Sequence, residues 1–250
     1  MDLAIPLVIA AVLFGVTLQR TSGMGTGLAL SPALTLTVGP VSGILLTNMT
    51  TVVSALFLIV AVRADIDWHR YLRIAPAALV GSVPAALLVH SAGSGWLEVI
   101  IGATLILSLA VISLLPRLPE VPPVRAGLAA GVLGGFLNTS VGVAAAVLLA
   151  YAHVTRWEQR SFAATLQPIF LTMGLVSLLT KTLVGAAGDG AAPPWYLIVA
   201  AIGSVPLGVV IGGRVAARVT AAAARRVAVV VVILGATVTL VRGLANVVAG

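Results

Sequence analysis

Six runs of about 20 apolar residues constrain this chain more than any other feature. They lie at roughly 41–62, 74–90, 96–115, 161–180, 195–213 and 227–248. Each is long enough as a helix to cross a bilayer core of about 30 Å. In hydrocarbon only helices and closed barrels satisfy their own backbone, so the runs predict an all-α integral membrane protein. Composition closes off other classes. Of the 250 residues, 8% are charged and 60% apolar, against about 25% charged in a soluble domain. The net charge of +7 comes without a Lys/Arg cluster that would track phosphates, which argues against a nucleic-acid partner. Cysteine is absent, and His69, His90 and His153 lack ligand spacing, so neither a metal nor a cofactor is expected. Asp2 stands before the first apolar run with no basic segment ahead of it, which argues against a cleaved signal peptide.

Two further apolar regions, 3–38 and 126–151, each contain a Gly-rich break. The first is Gln19-Arg20-Thr21-Ser22-Gly23-Met24-Gly25-Thr26-Gly27, and the second runs from Gly134 to Gly142 through Asn138-Thr139-Ser140. Split at its break, the second region gives arms of about 13 residues, about 20 Å each, too short to span. Both regions read as broken helices or re-entrant hairpins, which are tolerated at that depth only where buried or lining a cavity.

The chain repeats itself. Gly-Ser-Val-Pro occurs at 81–84 and 203–206, and Gly-Ala-Thr at 102–104 and 235–237. The breaks align at an offset of 117, Gly25 against Gly142, and Gly15 matches Gly131. The expected architecture is two inverted repeats, each a broken helix pair plus three transmembrane helices. The first covers 1–115 and the second 126–250, joined by a polar linker at 116–125. With both termini outside, the cytoplasmic loops hold Arg63, Arg70, Arg73, Arg117, Arg125, Arg156, Arg160, Arg214, Arg218, Arg225 and Arg226, as the positive-inside rule requires. Trp68, Trp96, Trp157 and Trp195 fall at predicted span ends, where an aromatic belt belongs. Inverted repeats with broken helices meeting near the midplane are a secondary-transporter architecture.

Gly23-Met24-Gly25-Thr26-Gly27 followed by Leu-Ala-Leu-Ser-Pro resembles the Gly-rich signature of the sulfite exporter TauE/SafE family. Asn138-Thr139-Ser140-Val141-Gly142 resembles a second, weaker copy that departs from the Gly-rich pattern. The resemblance extends over the whole chain. It implies a bacterial inner-membrane exporter of sulfite, sulfonates or related small organic anions.

Several residues can carry such chemistry. Arg20 stands beside the first break, and its planar fork suits sulfite, sulfonate or carboxylate oxygens. The competing reading is that Arg20 ends a span and snorkels to the interface. Gly23, Gly25 and Gly27 allow close backbone approach, and a helix starting after each break offers free N–H groups to an anion. Ser22, Thr26, Asn138, Thr139 and Ser140 add side-chain donors beside Gly142. Small-xxx-small packing, as in Gly23/Gly27, is the competing reading there. Thr47, Asn48 and Thr50 in one following span, and Gln167 in the other, can line a site or bond neighbouring helices. Thr50 aligns with Gln167 at the 117 offset. Pro84 and Pro206 are either hinges or sources of static curvature. Lys181, Glu98 and Asp189 sit at span ends and are expected to be solvated.

No Asp or Glu is expected deep in a span, which argues against a carboxylate proton relay. The interior-negative potential drives one negative charge outward with about 2.3 kcal/mol per 100 mV. The expected function is export of a small anion by alternating access, from a site near the midplane. An anion channel, a carboxylate carrier, and coupling to protons or sodium are the alternatives. No P-loop is present, and Ser22 and Ser140 have no buried His to activate them, so an enzyme is not expected. The partners expected are the anion and the bilayer. Oligomeric state leaves no mark in the sequence.

Overall fold

The computed structural model describes residues 3–22, 26–114, 120–187 and 192–249. All regular structure among these residues is helical. The first half comprises α1 (Ala4–Ser22), α2 (Gly27–Val38), α3 (Pro40–Val62), α4 (Trp68–Ile74), α5 (Ala77–Ser91) and α6 (Ser94–Leu114). The second comprises α7 (Pro123–Val141), α8 (Ala145–Val154), α9 (Gln159–Leu183), α10 (Trp195–Ala216) and α11 (Ala221–Ala249). Helix starts follow local chemistry. Pro40 and Pro123 open α3 and α7, where a missing N–H costs nothing. The Glu158 carboxylate caps α9 by accepting from Arg160 N and Ser161 N at 2.9 and 2.7 Å.

Seven helical segments are long and apolar enough to cross a membrane. Six coincide with the predicted spans, and the chain is a multi-pass membrane protein. The seventh, Ala4–Thr21, falls in the first broken region. Each broken region folds as an antiparallel helical hairpin. In the first, Gly15 lies under the Leu30 side chain, where a Cβ would stand 2.7 Å from Leu30 Cγ. In the second, Gly127 faces Tyr151, and Tyr151 Oη donates to the Pro123 carbonyl at 3.4 Å.

The arms are not equal, contrary to the sequence-based expectation for the second region. Helix α7 is 19 residues long and α8 only 10. Gly134 and Gly135 do not break α7; they are packing surface. A Cβ on Gly135 would overlap the Ala78 carbonyl of α5, and one on Gly134 would stand 2.9 Å from Met173 Cε of α9. Gly131 sits equally close to the Ile74 carbonyl. Small residues at this spacing let the α5 and α7 backbones touch.

The hairpins are held across the halves. Helix α1 lies along α10 and α7 along α5, while α3 lies along α9 and α6 along α11. Asn48 faces Ser177 and Val52 faces Gly174, so α3 and α9 run antiparallel.

Two further expectations fail. Trp157 is 8% exposed and is not a belt residue. It packs edge-on against Tyr151 and Phe162, and the Arg70 guanidinium stacks on its ring at 4.7 Å. Trp68, Trp96 and Trp195 do face outward. Glu98 is buried, not solvated. Its carboxylate meets Arg242 Nη2 at 3.2 Å and accepts from Asn246 Nδ2 at 3.0 Å. Arg242 Nη1 also donates to the Leu36 carbonyl at 3.1 Å, tying α11 to the end of α2. This places a buried carboxylate just past the first turn of α6.

The pair is asymmetric, with Glu98 1% and Arg242 44% exposed at the side chain. Arg242→Met strands the buried carboxylate, whereas Glu98→Gln frees a cation that water can reach. Removing one partner of a fully buried pair costs about 3–5 kcal/mol. The half-exposed arginine reduces this, to about 2 kcal/mol for Arg242→Met and less for Glu98→Gln. Thermal unfolding of both variants in detergent checks the order. A Glu98→Met, Arg242→Met double variant is expected to recover part of the loss.

Candidate functional site

The tips of the two hairpins meet. Gly27, the first residue of α2, lies against the Gly142 carbonyl so closely that a Cβ would overlap it. Ser31 Oγ donates to the Val141 carbonyl across the same contact. Gly142 turns the second tip with φ +76°. Its N–H donates to Asn138 O at 3.0 Å and the Val143 N–H to Leu137 O at 3.4 Å, a left-handed glycine stop of the αL type.

Both short helices begin at this junction, α2 at Gly27 and α8 at Ala145. A void of about 10 Å³ lies between them, lined by Gly27, Leu28, Thr51, Asn138, Gly142, Val143, Ala144, Ala145 and Phe170. It is large enough for about one water. Two helix N-termini border one point, each with free N–H groups and the positive end of its dipole.

Side-chain amides surround the junction in two crossed pairs. Gln19 Nε2 donates to Gln167 Oε1 at 3.1 Å, joining α1 to α9. Asn138 Nδ2 donates to Asn48 Oδ1 at 2.9 Å, joining α7 to α3. Asn48 and Gln167 are 119 positions apart, as are Gln19 and Asn138. Gln167 and Asn48 thus each accept from the residue that pairs with them across the halves. Ser54 Oγ donates to Gln19 Oε1 at 2.9 Å, and the Thr26 and Thr51 hydroxyls share a 2.6 Å hydrogen bond. Ser54, Thr51 and Asn48 follow one another at helical spacing on one face of α3.

A vestibule of about 280 Å³ opens beside the Gln19–Gln167 pair, with Arg20, Asp65 and Arg160 also on its wall. Asp65 and Arg160 are ion-paired at 2.9 Å. Arg20 is not buried at the midplane. It is exposed, in the last turn of α1, with its stem over Gly212. Among the described residues its guanidinium has neither a hydrogen bond nor an ion pair.

The other expected site residues divide. Thr26, Gly27, Thr47, Asn48, Asn138, Gly142 and Gln167 gather at or beside the tips. Thr47 and Ser140 direct their hydroxyl protons to Gly43 O and Phe136 O of their own helices, both at 2.8 Å. The Thr50 and Thr139 hydroxyls are buried with no hydrogen-bond partner, a rarity in folded proteins. Gly23 and Gly25 lie outside the described residues, as do Asp189 and linker residues 116–119, and the Ser22 side chain is likewise not described. Pro84 and Pro206 lie away from the tips, within α5 and α10, which run unbroken through them. In both copies the serine of Gly-Ser-Val-Pro bonds back one turn, Ser82 to Ala78 O and Ser204 to Ala200 O.

Sequence reasoning missed Ser54, Ser177 and above all Lys181, which is fully buried near the end of α9. The missed signal is the 119 offset, which brings Gln19 into register with Asn138.

The model of one protein family, sulfite exporter TauE/SafE, matches residues 7–239. No curated protein and no solved structure matches the chain.

Proposed function

The chain belongs to the sulfite exporter TauE/SafE family of membrane transporters, and from that premise we propose that it exports a small oxyanion, sulfite or a sulfonate, from a site between the two hairpin tips. The observation that carries the proposal is the convergence of the α2 and α8 N-termini on one void, with Asn138 of the Asn48–Asn138 pair on its wall and the Gln19–Gln167 pair on the wall of the neighbouring vestibule. An oxyanion placed there meets two sets of free backbone N–H groups and the Asn138 side chain on the wall. No carboxylate competes for it among the lining residues.

The void is too small for sulfite, so binding requires the tips to separate. Opening on the vestibule side breaks Gln19–Gln167, and opening on the far side breaks Asn48–Asn138. Alternating between the two gives alternating access. The crossed pairs at a constant offset, and the reciprocal lodging of α1 on α10 and α7 on α5, support reading the halves as inverted copies. The arginine distribution supports a vestibule facing the cytoplasm of a bacterial inner membrane, with both termini outside. Arg20 and Arg160 then draw anions to the mouth, and the membrane potential drives them outward. Pro84 and Pro206 are the bends on which α5 and α10 flex with their hairpins.

Thermal stabilisation of the purified protein by sulfite, sulfonates, sulfate and short carboxylates tests the substrate class. Stabilisation by none of these would remove the proposal. Arg20→Gln is expected to raise the half-saturating sulfite concentration for efflux about tenfold, a loss of about 1.4 kcal/mol, with an unchanged melting temperature because the side chain is exposed. Efflux from proteoliposomes at several concentrations checks it.

A further inference from the structure

Lys181 is the one lysine in the chain and is fully buried. Its Nζ donates to Ser177 Oγ at 3.1 Å. Ser177 Oγ also accepts from Asn48 Nδ2 at 3.0 Å, and Asn48 Oδ1 accepts from Asn138 Nδ2 at 2.9 Å. Three hydrogen bonds therefore join the ammonium to the hairpin tips. No other partner of Lys181 is present among the described residues, and no carboxylate there lies within ion-pair distance. An ammonium carries three donors and no acceptor, so two of them face no acceptor among the described residues. A cation buried without a counter-charge costs several kcal/mol, and a methionine of the same length would fill the space without that cost. The position of the charge is also informative. Gln167 and Lys181 are 14 residues apart on α9, about 21 Å along the axis, so Lys181 lies beyond the tips from the vestibule.

We propose that Lys181 is a second anion-binding station, on the far side of the tips, whose counter-charge is the transported oxyanion itself. The inference rests on the reading of the tips as the primary site. An anion released as Asn48 and Asn138 part meets the Ser177 hydroxyl and then the ammonium. A lysine suits a transient station because its point charge binds an oxyanion without the two-pronged geometry of arginine.

The full-length protein in proteoliposomes allows a direct test, because Lys181 is the only side-chain amine. A membrane-impermeant aryl isothiocyanate bearing a sulfonate adds to a free amine to form a thiourea, and mass spectrometry reads the position, with the α-amino group as internal control. Labelling of Lys181 is expected during sulfite-free cycling, with sulfite slowing it about tenfold and leaving the α-amino rate unchanged. Lys181→Met is expected to lower efflux at least tenfold, and Lys181→Arg to restore part of it. An unlabelled Lys181, or labelling at one rate with and without sulfite, overturns the station. So does a folded Lys181→Met variant with wild-type efflux. If Lys181→Met does not fold, protection of the wild-type lysine decides alone. Sulfite stabilisation of the wild type without protection of Lys181 removes the station and leaves the tip site standing. Absence of stabilisation removes both.

Discussion

Gly27→Ala is expected to lower sulfite efflux by about a hundredfold while the protein still reaches the membrane. The added methyl has nowhere to go. It would overlap the Gly142 carbonyl oxygen, and the next atoms, Gly142 C and Val143 Cα, stand at 3.1 and 3.5 Å. These are backbone atoms of the opposite hairpin, so relief requires the tips to move apart. A displacement of about 1 Å in a preorganised site can cost about a hundredfold. Overpacking of this kind costs about 1–3 kcal/mol in stability, so a folded, inactive protein is the expected outcome. Gly142→Ala is the milder neighbour. Its Cβ would meet only Thr47 Cγ2 at 3.3 Å and Ser31 side-chain atoms beyond that. Its penalty is the positive φ, worth about 1–2 kcal/mol for a residue with a Cβ. Efflux and melting temperature measured on both variants separate them. Wild-type efflux by Gly27→Ala would mean that the contact between the tips is not where the anion passes.

The second large effect comes from two identical tetrapeptides. Gly81→Ala is expected to destabilise the protein by about 3 kcal/mol or to prevent its accumulation, whereas Gly203→Ala is expected to be neutral or to stabilise by up to about 1 kcal/mol. Both glycines open a Gly-Ser-Val-Pro segment inside a helix. A Cβ on Gly81 would overlap the Val132 carbonyl and stand 2.8 Å from Phe136 N, so α5 and α7 could no longer touch. A Cβ on Gly203 would meet nothing within 4 Å. Replacing an unneeded glycine inside a helix removes only its entropy cost. Expression level and thermal unfolding of the pair check the contrast. Equal effects would mean that the motif acts through its backbone bend and not through packing.

The same contrast explains what was legible in the sequence. Span number and position follow from hydropathy, because a bilayer imposes a length that the chain must show. That each of the two regions turns was legible as well, from the glycines and small polar residues at Gly23–Gly27 and before Gly142. Their internal geometry was not. Gly134 and Gly135 read as part of a break, but a glycine that stops a helix and a glycine that admits a neighbouring backbone are the same letter. Only the partner helix distinguishes them. Glu98 and Lys181 were misread for a related reason. Position near a span end predicts solvation only where no other helix covers that end; α11 covers Glu98, and α3 packs along α9 where Asn48 bonds Ser177 beside Lys181. The polar residues that meet at the tips were visible by type, but not their pairing: Gln167 bonds Gln19 and Asn48 bonds Asn138, contacts between distant segments that no local pattern marks.

The cross-half lodging of the hairpins decides which parts of this protein are able to move as bodies. Because α1 lies on α10 and α7 on α5, neither half of the sequence is a mechanical unit. The natural bodies are composites, each built from one hairpin and a helix encoded more than a hundred residues away or on the other side of the linker. Cutting the chain between α6 and α7 would leave every one of these seams intact. The α3–α9 contact adds a further seam between the two halves.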